Sequence, residues 1–114
     1  MTKTFIQTSV FERQWDALGL TDEDLCRLEL EIMKNPQVGD VIQGTGKLRK
    51  MRFAIGNKGK RGSARICYVD FVVLDKIYLF TVYAKNEKEN LSKEERNNIK
   101  KMIDKIEKSL MKEV

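Results

Sequence analysis

The 114-residue chain contains no histidine. That absence excludes a Ser-His-Asp triad, a paired-histidine ribonuclease and any histidine-ligated zinc site. Acid–base chemistry, if there is any, falls to lysine, carboxylate or tyrosine. The two cysteines, Cys26 and Cys67, are too few for a disulfide framework and lack metal-ligand spacing. Their mid-helix and mid-strand positions read as small reduced core residues. No apolar run comes near the ~18 residues of a membrane helix. Met1 to Val10 lacks a basic-then-apolar signal pattern, so secretion is not expected. With one proline, 41% apolar and 34% charged residues, the composition suits one core in one domain spanning 1–114.

A second absence is more pointed. Between Asp40 and Asp70 there is no acidic residue, while Lys47, Arg49, Lys50, Arg52, Lys58, Lys60, Arg61 and Arg65 give that stretch +8. The whole chain carries +5, so the rest is net acidic. A basic run is ordinarily a solvated face. Segregation this complete favours a phosphate-rich partner, nucleic acid above all.

The hydrophobic pattern orders the elements. Thr4 to Thr8 reads as a short strand. Ser9 with Glu12 reads as a capping box opening a helix that ends before Gly19, with Val10, Phe11, Trp15 and Leu18 apolar. Thr21 with Asp24 caps a second helix running to about Lys34, its apolar face carrying Leu25, Leu28 and Ile32. Asn35-Pro36 stops it. So short a link makes the two helices an antiparallel hairpin. Gln37 to Gly46 is a glycine-punctuated connector, and Leu48 to Ile55 alternates as a half-buried strand. Residues 56–62 form a basic glycine loop. Ala64 to Leu74 and Lys76 to Tyr83 are strands joined tightly through Asp75. Ser92 with Glu95 caps a closing helix whose stripe is Ile99, Met102, Ile103, Ile106 and Leu110. The lysines Lys100, Lys101, Lys105, Lys108 and Lys112 read as its solvated face. Trp15 reads as a core anchor. The class is α+β.

Several short motifs in this order carry a resemblance. They are Asn35-Pro36, Gly39-Asp40-Val41-Ile42, Gly44-Thr45-Gly46, Leu48-Arg49-Lys50-Met51-Arg52, Gly59-Lys60-Arg61-Gly62, Arg65 with Tyr68, and Tyr83-Ala84-Lys85-Asn86-Glu87. From about Phe5 to Ile106 the chain resembles the RelE/ParE superfamily, and within it the HigB-type toxins of bacterial type II toxin–antitoxin modules. The resemblance implies a RelE-like fold: an N-terminal helical hairpin packed on a small antiparallel sheet, with a C-terminal helix. It implies a cytoplasmic, ribosome-dependent mRNA endoribonuclease that uses no cofactor or metal. Its partners would be the ribosome with mRNA and a HigA-like helix-turn-helix antitoxin, with operator DNA reached only through that antitoxin and no membrane involved. The alternatives are a ParE-like gyrase inhibitor and a non-catalytic RNA- or ribosome-binding domain.

The same resemblance distributes roles. Arg65 would clamp the scissile phosphate, its planar fork meeting two oxygens at once; the alternative is a structural ion pair with Asp70 or Glu87. Lys85 would be the basic catalytic residue after the last strand. Lys60, with Lys58, matches the family's basic pair in the loop, and Glu87 is a candidate general base. Arg49, Lys50, Arg52 and Arg61 would hold RNA backbone, and Tyr68 or Tyr83 would stack on a base or else be core. Two departures stand out. This chain has no tyrosine after Asn86, and Asn86 replaces a second arginine expected beside Lys85 in the RelE branch. Which group is base and which is acid stays open.

Overall fold

The computed structural model describes residues 3–55 and 62–112, so the loop candidates Lys58, Lys60 and Arg61 lie outside the described residues. The chain opens with strand β1 (Thr4–Gln7) and helix α1 (Ser9–Ala17). The cap of α1 is Thr8 rather than Ser9. The Thr8 hydroxyl accepts the Phe11 N–H at 3.1 Å and donates to the Phe80 carbonyl at 2.8 Å, fixing the helix start against the sheet. Gly19, at φ +73°, makes the left-handed turn that α1 needs to reverse. Helix α2 (Asp22–Lys34) then starts in the expected box, with Thr21 and Asp24 exchanging hydrogen bonds at 3.1 and 2.9 Å. The Trp15 indole N–H donates to the Thr21 carbonyl at 3.2 Å and locks the hairpin.

The remaining strands are β2 (Asp40–Val41), β3 (Arg49–Ala54), β4 (Ser63–Phe71) and β5 (Lys76–Ala84), followed by helix α3 (Lys93–Met111). Their order across one sheet is β1-β5-β4-β3-β2. Neighbours run antiparallel except β1, which lies parallel to β5, so the expected antiparallel meander gains a parallel edge. The link between β4 and β5 is a 3-10 turn, Val72–Leu74, closed by Asp75 at φ +53°, and not a bare hairpin at Asp75.

Two cores sandwich the sheet. On one face Phe11, Trp15, Leu28 and Ile32 of α1 and α2 pack on Phe53, Ile66 and Leu79. On the other, Ile103 of α3 and Leu91 pack on Leu48, Cys67, Val69 and Phe80. Helix α3 begins in the Ser92/Glu95 capping box, and of its predicted stripe Ile103 and Leu110 are buried while Met102 stays exposed. Cys67 is core, but Cys26 is exposed on α2, and Val10 likewise faces out.

Tyr68 is wholly buried in the hairpin-side core. Its hydroxyl donates to the Pro36 carbonyl at 2.9 Å and accepts the Gly39 N–H at 3.1 Å, tying the connector to the sheet. A Cβ at Gly39 would sit 2.8 Å from the Lys50 carbonyl oxygen, so only glycine allows that approach. Tyr68 therefore has no ring surface to offer a base, which corrects its assignment as an RNA contact.

Candidate active site

The site is built by strand register. Arg65 of β4 stands between Arg52 of β3 and Tyr83 of β5, and the next row is Lys50, Cys67 and Thr81. One row further out, Ala54 pairs with Ser63, whose carbonyl accepts the Lys85 N–H at 3.1 Å. Strand alternation places Arg52, Arg65 and Tyr83 on the α3 side of the sheet.

A β-bulge sets the alignment. Between Cys67 and Tyr68 the pairing jumps from Thr81 to Leu79, leaving Phe80 unopposed. Phe80 and Tyr83, three residues apart, thus join the same cluster under α3. On the opposite side Gln14 of α1 holds the distorted segment. Its carbonyl oxygen accepts from the Thr81 hydroxyl at 2.7 Å and the Val82 N–H at 2.9 Å.

Arg65 is only 5% exposed, which the sequence did not foresee. Its partners among the described residues are loose: the Ser63 hydroxyl at 3.4 Å and the Glu89 carboxylate at 3.8 Å. The ion-pair partner is neither Asp70, which bonds Lys3 at 2.7 Å, nor Glu87. Two arginines directly opposite on a sheet are locally unfavourable, costing about 0.2–1 kcal/mol. A guanidinium drawn out of water adds a larger cost unless its donors are met. Local rules are broken in this way at functional or strained sites.

Tyr83 is buried as well, with the Lys88 ammonium 5.0 Å from its ring centre. It too is unavailable for stacking on a base. Burial, then the neighbouring Cys67, push its phenol up, so it is no general base at neutral pH. Burial pushes the Cys67 thiol up to about 12, which makes it inert as a nucleophile. Lys85 and Glu87 lie on the exposed rim. The Glu87 carboxylate accepts the Ala84 N–H at 3.3 Å and so closes the turn after β5. Glu87 also borders a cleft of about 390 Å³ with Gln14, Leu18, Tyr83 and Lys88. Lys50 reaches the Asn90 amide oxygen at 2.8 Å. Arg52 is exposed.

Three members of this neighbourhood escaped the sequence reading. Lys88, Glu89 and Glu95 come from the segment into α3, and Lys88 pairs with Glu95 at 2.6 Å. Burial tends to raise the Glu95 carboxyl, but the bonds from Lys88 and Ser92 outweigh it and hold it below the usual range. Only the sheet register could have placed them here. Arg49 moves the other way. Its guanidinium binds the Gly39 and Gln37 carbonyls at 2.6 and 3.4 Å, at the far end of β3.

The frame is that of a small α+β domain with arginines gathered on one end of a sheet. Over residues 2–114 the chain matches the family described as the RelE toxin of the RelE / RelB toxin-antitoxin system, and it belongs to that family. Among solved structures it is similar to a double arginine-to-alanine variant of E. coli toxin RelE in the free state. The identity is 14% and the TM-score 0.54, covering 78% of this chain and 90% of that one, a likeness of fold. The chain is thus a toxin with an antitoxin partner.

Proposed function

We propose that this toxin is a ribosome-dependent mRNA endoribonuclease of the HigB type that blocks translation in the cytoplasm. The observation that carries the reading is Arg65: buried, loosely paired among the described residues, and directly opposite Arg52 on the sheet. Cleavage of RNA by its own 2′-hydroxyl forms a bond from O2′ to phosphorus and breaks the bond to O5′. The phosphorane in between carries extra negative charge, and a preorganised guanidinium fork stabilises it. Arg52 is the second cation within reach. Lys50 extends the backbone track, and Lys58, Lys60 and Arg61 are proposed to add to it.

Proton transfer falls to the rim. Lys85 and Glu87 follow β5 beside the arginine row, Lys60 is a third candidate, and a Glu87→Gln variant separates base from turn-closer. The chain has no histidine, the side chain that ordinarily titrates closest to neutrality. The acid–base contribution is therefore small, and alignment of the 2′-oxygen with the leaving oxygen must supply the rest, an effect of up to ~7–11 kcal/mol. A ribosome holding mRNA in its decoding site provides that alignment. No helix among the described residues is long and apolar enough to cross a membrane. A HigA-like helix-turn-helix antitoxin would silence the toxin, and operator DNA would be bound through that antitoxin.

The test compares naked mRNA with the same mRNA loaded on ribosomes, mapping new 5′ ends. Cleavage is expected only in the loaded sample. Equal cleavage in both would replace this reading with a conventional nuclease. Inhibition of DNA supercoiling without cleavage would replace it with a gyrase poison.

A further inference from the structure

At the end of the sheet opposite the arginine row, four apolar side chains stand in solvent around one groove. Val41 of β2, Val72 and Val73 of the 3-10 turn and Met111 of α3 are 49%, 58%, 82% and 55% exposed. They border a cavity of about 430 Å³ that Phe71 and Leu74 also line. Half of the eight large apolar residues exposed among the described residues meet here. The others, such as Leu30 on α2 and Met102 on α3, are dispersed. A contiguous apolar patch with a charged rim marks a protein contact.

The rim states what kind of protein. Lys47 is paired with Glu107, and Asp70 with Lys3. Arg49 meets only backbone carbonyls among the described residues, so its charge is unmatched. We infer that the antitoxin docks in this groove, laying an apolar segment on Val41, Val72, Val73 and Met111 and a carboxylate on Arg49. The inference rests on membership of the toxin family and is independent of the nuclease reading.

A second copy of this chain fits worse. A two-fold interface would bring the same patch against itself, and both groove carboxylates are already engaged, leaving Arg49 of each copy without a counter-charge. The chain's net charge of +5 likewise favours an acidic partner. The groove is remote from the arginines. Arg65 and Phe71 are six residues apart along β4, about 20 Å at strand rise. A segment seated there leaves Arg65 uncovered and acts by denying the toxin its target surface.

The experiment co-expresses the chain with the protein encoded in the adjacent reading frame. Wild type should be rescued from growth arrest and should co-purify with that protein. Val72→Asp/Val73→Asp should arrest growth as fully as wild type when expressed alone, which also reports that it folds. It should no longer be rescued, and affinity should fall at least 100-fold. Met111→Asp, on a different element, gives an independent reading, and Arg49→Ala should weaken the complex about tenfold. Unchanged rescue and affinity in the double variant or in Met111→Asp overturns the inference. So does a toxin dimer, measured on inactive Arg65→Ala protein, that the double variant splits. A wild-type chain that the adjacent protein neither binds nor rescues would instead remove the toxin–antitoxin premise itself.

Discussion

Arg65 is buried in the sheet, and among the described residues its donors are only partly met. Arg65→Ala should abolish growth arrest, with a loss of roughly 10²–10³-fold in cleavage on ribosomes, the usual effect of removing one transition-state donor. Arg65→Lys should restore little, because an ammonium cannot present the same fork. Its partner Glu89 is largely exposed, so Arg65→Ala strands no buried carboxylate, and a melting curve should show a folded protein. Tyr68→Phe behaves oppositely. It leaves the Gly39 N–H and Pro36 carbonyl without their shared hydroxyl, so stability in urea should drop by about 1–3 kcal/mol while cleavage is retained. The thiols offer a third check. Under native conditions a thiol reagent should label Cys26 alone, and denaturant should expose Cys67 as the second site.

At the level of elements, Gln14 holds the bulge that turns Tyr83 toward α3 beside Arg65. Gln14→Ala removes the acceptor of two partly buried donors and should lower kcat on ribosomes severalfold with a smaller change in KM. Gln14→Glu keeps the acceptor oxygen and should recover most of the rate. Such couplings mark the boundary of what a sequence discloses. The Thr21/Asp24 and Ser92/Glu95 boxes, the stop at Asn35-Pro36 and the alternation through β3 were legible because each is a local rule acting over three or four residues. The cap at Thr8 was not, since its hydroxyl is recruited by Phe80, 72 residues away. Nor was β2, whose two residues carry no periodicity. The basic run did point to Arg52 and Arg65. It could not show that Arg49 lies at the other end of its strand, or that both tyrosines are walled in, because those facts depend on register and on a bulge. Lys88 and Glu89 gave no local signal at all, and Glu95 signalled only its cap.

Across the whole molecule, the row of Arg52 and Arg65 stands at one end of the sheet and an apolar groove rimmed by Arg49 at the other. On the proposed function, the surface docks on ribosomal RNA while touching message and releases counterions from both, so cleavage should fall steeply between about 50 and 200 mM salt. Measuring rate against salt for wild type and Arg52→Ala tests this. The variant should show a shallower slope by about one phosphate contact.

The pairing of β1 with β5 has a consequence in time. Thr4 lies in register with Lys76, 72 positions later in the chain, and its N–H donates to the Asp75 carbonyl at 3.0 Å. At a synthesis rate of about 5–20 residues per second, the first strand waits roughly 4–14 s for the edge it joins. The arginine row itself draws on residues 52, 65 and 83, so no nascent fragment that ends before β5 can assemble it. On the proposed activity, the polypeptide is harmless to the ribosome making it until nearly all of the sheet has emerged. Vectorial synthesis postpones toxicity to the moment of completion.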